Sequence, residues 1–532
     1  MTGPSIPSLA FAIAMLFTSF VTVHALNESR HHLSLVHAPS IRLHVTLHRD
    51  SLQLHGHSKF DVFATPVVSA NDSKVLYDGY AIFADGGHTY TYSYVRGVGY
   101  LSTNDGENEQ IECLSSSQLP FNAILHALHD MTPISSASIG DDMVNCTSGN
   151  LFKATLDGTE FVTCAAGKSG FTASNSEVTI DVEYLDSPIQ VHVPAWSSRL
   201  SCDVAATATS IRPTALAWLT GNAVSVSSTR QLEMTNPFHM NTPSCRPCKS
   251  KPRPCVFFHG TGNRHEMEEL QDTPQKASGR MGNMNKHAPC CTVVKYAILN
   301  TLDSSWTDDK LQQKFCDRAL RLSKSSDKKR GVIRHTVVVT HSMAGLIMSM
   351  ALATGKCRFG KGTAWVAIST PMMGSMASDY FQDFCDGKHT AIAKSMLKII
   401  GQCPLPLARS SLVYQNGKHA SSKLNRAYRI AQKAYAKNVD AAMCSDNPNG
   451  MFSPYEGLMR ISAAMVSHMS PQNDGLVEFQ SCAVGLKKYK FGKSYKNKFY
   501  QPALNHADTA FLSGDGIFKD SQKPIKWFEC LL

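Results

Sequence analysis

Past residue 25 the chain lacks any stretch able to cross a bilayer. The apolar segment at 205–228 is broken by Arg212 and Pro213, whereas a spanning helix needs about 20 consecutive apolar residues. Charge is sparse as well. Of 532 residues, 18% are charged and 43% apolar, which excludes a generally disordered chain and allows a sizeable core. There is no pair of CxxC motifs at zinc spacing, no internal repeat and no low-complexity block. The 16 cysteines are spread over the whole length, which argues against a disulfide mini-protein. The length fits two or three domains.

What is present begins with an uncharged apolar run at 9–23, followed by Val23-His24-Ala25, a small-x-small cleavage pattern. Residues 1–25 read as a signal peptide, although no Lys or Arg precedes the run; an uncleaved anchor is the alternative. Sequons at Asn27, Asn71 and Asn145 are candidate glycosylation sites and agree with export. The expected location is secreted, or the lumen of the secretory and endolysosomal system, with most cysteines in disulfides. Cys113, Cys146, Cys164 and Cys202 could close two bridges among themselves. Cys245-Arg-Pro-Cys248 has redox spacing but reads as structural.

Charge divides the chain. Residues 26–240 carry 11 Lys+Arg and 21 Asp+Glu, and residues 241–532 carry 41 and 21. The reversal falls at a Pro-, Cys- and Lys-rich stretch, 241–254, where a domain boundary is expected. The acidic part alternates apolar and polar residues at 41–48, 90–95 and 178–184, as half-buried strands do. With a helix expected at 117–131, residues 26–240 read as an antiparallel β-rich accessory domain.

The basic part alternates short apolar strands (255–258, 291–299, 336–339, 364–369) with helices (307–322, capped by Thr307, and one from Leu346). That pattern implies a mostly parallel sheet covered on both faces. At 337–345 a strand runs straight into a helix through Ser342. Such a turn exposes a hydroxyl beside a helix N-terminus, where developing negative charge is stabilised. Thr340-x-Ser342-x-Ala344, then Gly345, stands where G-x-S-x-G would be. His259-Gly260-Thr261-Gly262 follows the first strand, and a glycine loop there brings backbone N–H groups close to a substrate oxygen. Asp474 sits in a turn, Asn473-Asp474-Gly475. After it His506 is the sole histidine, so the order Ser, Asp, His can be completed in one way.

Through these motifs, and Ile368-Ser369-Thr370-Pro371 after the next strand, residues 253–528 resemble the α/β-hydrolase superfamily in its lipase/esterase branch. The resemblance implies Ser342 as nucleophile, His506 as base and Asp474 as the group that orients it. The N–H of Met343, with that of Gly260 or Thr261, would hold the oxyanion. It implies ester hydrolysis with no metal or organic cofactor. The alternative is a non-enzymatic lipid or ligand binder on the same scaffold.

About 100 residues separate Pro371 from Asp474, and the family implies a helical cap inserted there, at about 375–459. Within it, 421–443 reads as an amphipathic helix. It is either a lid or a helix packed on the core, and its Tyr- and Ala-rich face favours the second. A strand is expected at 488–500. The lysines and aromatics of 487–498 do not suggest nucleic acid in an exported chain. An acyl ester or lipid substrate and an anionic membrane surface are the expected partners.

Overall fold

A computed structural model of the protein describes residues 38–69, 74–114, 121–148, 150–194, 202–204, 206–222, 237–241, 245, 247–277, 279–387, 403–451 and 453–532. The expected signal at 1–25 and the sequons at Asn27 and Asn71 lie outside them. Asn145 is exposed.

The largest element is a twelve-stranded antiparallel sheet formed within residues 40–210. Ser40–Leu47 lies at its centre, paired with Lys59–Val68 on one side and Val178–Leu185 on the other. From there successive hairpins run outward to Glu109–Leu114 at one edge and Thr132–Ile134 at the other. Asp157-Gly158 shows how tightly the hairpins turn. Both residues have positive φ (49° and 83°), as a two-residue loop matched to the strand twist requires. Two helices, Phe121–His129 and Pro213–Thr220, cover one face and bury Leu125, Leu128, Trp218 and Leu219 against Val45, Tyr77 and Phe152. Between them and the sheet lies an apolar cavity of about 320 Å³, walled by Leu43, Phe60, Phe161 and Trp218 and closed by Ile517 and Phe518.

A separate sheet of seven strands follows, every pairing parallel. Its order is Cys291–Ala297, Arg253–Phe258, Val337–His341, Ala364–Ile368, Ala441–Met443, Phe499–Tyr500, Phe491–Gly492. Helices Asp309–Leu322, Met343–Ala353 and Ser422–Asn438 bury one face, and Pro524–Leu531 packs on the other through Ile525, Trp527 and Phe528. The cap of the first of these helices is Asp308, which accepts from the N–H of Leu311, rather than Thr307.

The expected fold class is therefore corrected. The expectation was an α/β-hydrolase domain with a mostly parallel sheet and a helical cap insertion, preceded by an antiparallel β-rich accessory domain. The largest sheet is instead antiparallel, the parallel sheet is a smaller separate one, and helices are few. Of the two readings of the helix expected at 421–443, the structure shows the one packed on the core. Ser422–Asn438 buries Tyr428, Ala431 and Tyr435 in the core beside Met343–Ala353, and the chain then enters the sheet as Ala441–Met443. Its flat, small-residue face fits another helix closely, which a lid face need not do. The expected strand at 488–500 is likewise broken, because Asn497 turns the chain by accepting from the N–H of Ser494.

Buried charge ties the two sheets together. Lys523 and Lys526, at the start of the last helix, both donate to Glu177 from the antiparallel sheet. Arg49 reaches Glu177 at 2.8 Å and Glu529 at 2.6 Å, and Ser51 donates to Asp515 at 3.0 Å. Burial would raise the Glu177 carboxyl, but the two lysines outweigh it and hold it at about 2. Eight disulfides pair all 16 cysteines. Cys113–Cys202 and Cys146–Cys164 close within the antiparallel part. Cys245 and Cys248 bond to Cys530 and Cys290 rather than to each other, so the CxxC spacing is structural. This complete pairing fits a chain folded in an oxidising, export-type compartment. Among the described residues, no helix is long and apolar enough to cross a membrane.

Candidate active site

Val337–His341 is a fully buried central strand, and Met343–Ala353 starts one residue beyond its end. Ser342 absorbs the whole change of direction, with φ 57° and ψ −132°, a strained backbone for a residue other than glycine. Its neighbours explain the departures from G-x-S-x-G. The hydroxyl of Thr340 accepts from Trp365 Nε1 at 2.9 Å, an interaction glycine could not make. Ala344 is buried, and at Gly345 a Cβ would strike the side chain of Thr370.

The three residues singled out by chain order meet at this turn. His506 Nε2 lies 3.0 Å from Ser342 Oγ, and His506 Nδ1 lies 2.8 Å from Asp474 Oδ2. All three are buried. The Asp474 turn exists to present this carboxylate. Its Oδ1 accepts from the N–H groups of Val477 (2.7 Å) and Leu476 (3.1 Å), and its carbonyl accepts from the N–H of His506. Burial would raise the carboxyl; the adjacent imidazole and the two N–H groups bring it below the ordinary carboxylate range. Asp474 thus stays charged opposite the Nδ1–H of His506.

The glycine loop lies against the same serine. A Cβ on Gly260 would come within 2.7 Å of Ser342 Cβ, so only glycine allows this approach. The N–H groups of Gly260 and Thr261 have no backbone acceptor among the described residues, and that of Met343, first in its helix, has none within the helix. Gly260 and Met343 thus flank Ser342, one packed against its side chain and the other next to it in the chain.

Several supports were not legible beforehand. The His259 ring is buried and spans the loop, its Nδ1–H donating to the carbonyl of Gly260 and its Nε2 accepting from the N–H of Leu299. Burial pushes it down to about 4, so it is neutral and can do both. Thr301 donates to the same Gly260 carbonyl at 2.7 Å. His341 donates through Nε2 to the carbonyl of His506 at 3.1 Å, which fixes the His506 loop from below. Burial, with His506 nearby, keeps His341 far below its usual range. The sequence offered one signal for this pair: each histidine is next to a motif residue.

No family model matches the chain, and no curated protein matches it. Among solved structures it is similar to a lipase of Staphylococcus hyicus, with a TM-score of 0.27 and 14% identity, over 53% of this chain and 93% of that one.

Proposed function

We propose that the protein is a serine hydrolase that cleaves carboxylic or thioester bonds of lipid-like acyl substrates through an acyl-enzyme on Ser342. One observation carries this reading: a single imidazole lies within hydrogen-bond distance of both a strained serine and a buried carboxylate. In this reading His506 takes the Ser342 proton as Oγ attacks the acyl carbonyl. The negative oxygen that forms accepts from the N–H of Met343 and from Gly260 or Thr261. His506 returns the proton to the leaving group and then draws one from the water that cleaves the acyl-enzyme. Asp474 holds the ring and balances its positive charge throughout.

A fluorophosphonate probe tests this directly. Wild type should be labelled covalently and Ser342→Ala should not. Ser342→Ala, Asp474→Asn and His506→Ala should each lower turnover by about three orders of magnitude or more, and double variants should lose little beyond the worse single one. Full independent losses in the doubles would dissolve the unit. The apolar cavity favours a second reading, a binder of apolar ligands that does not turn them over. A folded wild type that resists the probe yet retains lipid would select it.

A further inference from the structure

Two arginines near the Ser342 turn have no carboxylate partner among the described residues. Arg280 lies between the loops that frame it. Its guanidinium packs on Gly262, two residues beyond Gly260, with only a 3.5 Å contact from Nη2 to the Gly262 carbonyl. On the other side, the N–H of Gly282 donates to the carbonyl of Ala510, in the turn that follows His506. A Cβ at Gly282 would strike Phe511, so this strip is pressed against the His506 loop. Two residues span at most about 7 Å, which with these contacts keeps the Arg280 guanidinium within about 16 Å of Ser342.

Arg409 approaches from Leu407–Ser410, a helical turn docked by the N–H of Ala408 on the carbonyl of Leu302. Leu302 adjoins Thr301, which holds the Gly260 carbonyl. Arg280 Nε and Arg409 Nη1 are buried without any hydrogen-bond partner, and neither guanidinium pairs with a carboxylate among the described residues. Burial, then the like charge of Arg280, lowers Arg409 to about 10, so both remain cationic at neutral pH. At the junction of the two sheets Arg49, Lys523 and Lys526 each have a carboxylate. Among the described residues Arg280 and Arg409 have none, and Arg409 feels the positive charge of Arg280 near the 301–302 segment, to which Gly262 and Ala408 are both hydrogen-bonded. Both residues are half-buried, and a partly desolvated charge without a counter-charge is unfavourable. A planar guanidinium pair of this kind matches the oxygens of a phosphate or carboxylate.

We infer that Arg280 and Arg409 form an anion-binding subsite beside Ser342, which takes an acyl ester carrying a phosphate or carboxylate group. The inference rests on the hydrolase reading for its substrate, and on the two side chains alone for the anion.

The experiment has a binding arm and a kinetic arm. In the first, the full-length Ser342→Ala protein is melted with inorganic phosphate. Phosphate should raise its Tm, and the shift should vanish when Arg280→Gln or Arg409→Gln is added. Arg280→Lys should keep part of it. Without phosphate, both Gln variants should melt no lower than their parent, since each removes an uncompensated charge. An equal phosphate shift in all proteins, or none in the parent, overturns the subsite. In the second arm, kcat/KM is compared within two pairs on an otherwise wild-type background. One pair is 4-nitrophenyl pentanoate and mono-4-nitrophenyl glutarate, with the anion on the acyl group. The other is a monoacylglycerol and its phosphate monoester, with the anion on the leaving group. The anionic member of at least one pair should be preferred, and either Gln variant should lower that preference at least ten-fold. Equal losses on both members would make the arginines supports of the Gly260 loop and overturn the inference. Hydrolysis of neither pair would count against the proposed function, while the phosphate melts would still decide the anion site.

Discussion

At His259 a single buried ring holds two backbone segments, and that makes the site acid-sensitive. The ordinary value of 6.5 in the unfolded chain falls to about 4 in the folded one. The folded protein therefore binds fewer protons than the unfolded one between these values. Stability from this residue is complete above pH 6.5 and is lost as pH falls to 4, by roughly 3 kcal/mol. Denaturation midpoints measured across that window should fall for wild type and stay flatter for His259→Gln, which lacks the titrating ring. An unchanged slope in the variant would assign the loss elsewhere. Asp474 acts in the same direction at lower pH, because its partners favour the charged form and hold its carboxyl below the ordinary value, so its contribution too is lost on acidification.

Among the elements, Ser422–Asn438 shows best what composition hides. As a layer of the parallel sheet, it should fail like a core helix. Tyr435→Ala, at a fully buried position, should cost about 3–5 kcal/mol in denaturant unfolding. A lid helix would instead give altered substrate access with little loss of stability. The sequence showed this helix well, because Leu424, Tyr428, Ala431 and Tyr435 recur at helical spacing. Its Tyr- and Ala-rich face already favoured packing on the core; what helical period could not show was which helix it packs against. The same limit explains the misread class. The strands of the larger sheet mostly pair with their neighbours in sequence, and so left period-two traces at 41–48, 90–95 and 178–184, but the closure of Ser40–Leu47 on Val178–Leu185, which makes one wide sheet of them, joins residues far apart in the chain. Phe491–Gly492 and Phe499–Tyr500 are too short to leave a period-two trace. Within the candidate site, Ser342, Asp474 and His506 were legible because chain order and turn chemistry constrain them. Arg280 and Arg409 were not, because no local pattern marks a lone arginine that meets another through folding.

Over the whole molecule, the junction between the sheets depends on Glu177. Its carboxyl sits at about 2 against an ordinary 4.5, so its contribution is present above pH 4.5 and is lost as pH falls toward 2. Glu177→Gln would leave the buried Lys523 and Lys526 ammonium groups without the carboxylate they bond, and it should destabilise the protein by about 3–5 kcal/mol at neutral pH. Thermal unfolding checks this, and the loss should persist in salt because the pair is shielded from solvent. A surface-like effect below 1 kcal/mol would mean that water reaches the junction. The bond between Cys245 and Cys530 acts at the same scale but under load. It joins residues 285 apart, close to the end of the chain, so tension applied at the two termini passes through sulfur and bypasses the parallel sheet. In a force-extension trace, the polypeptide inside this ring should contribute nothing until a reductant is added, when up to about 100 nm of hidden contour length becomes available. Mechanically, the segment that carries Ser342, Asp474 and His506 is a closed loop hanging beside the line of force, and a pull that unravels the antiparallel sheet leaves it slack.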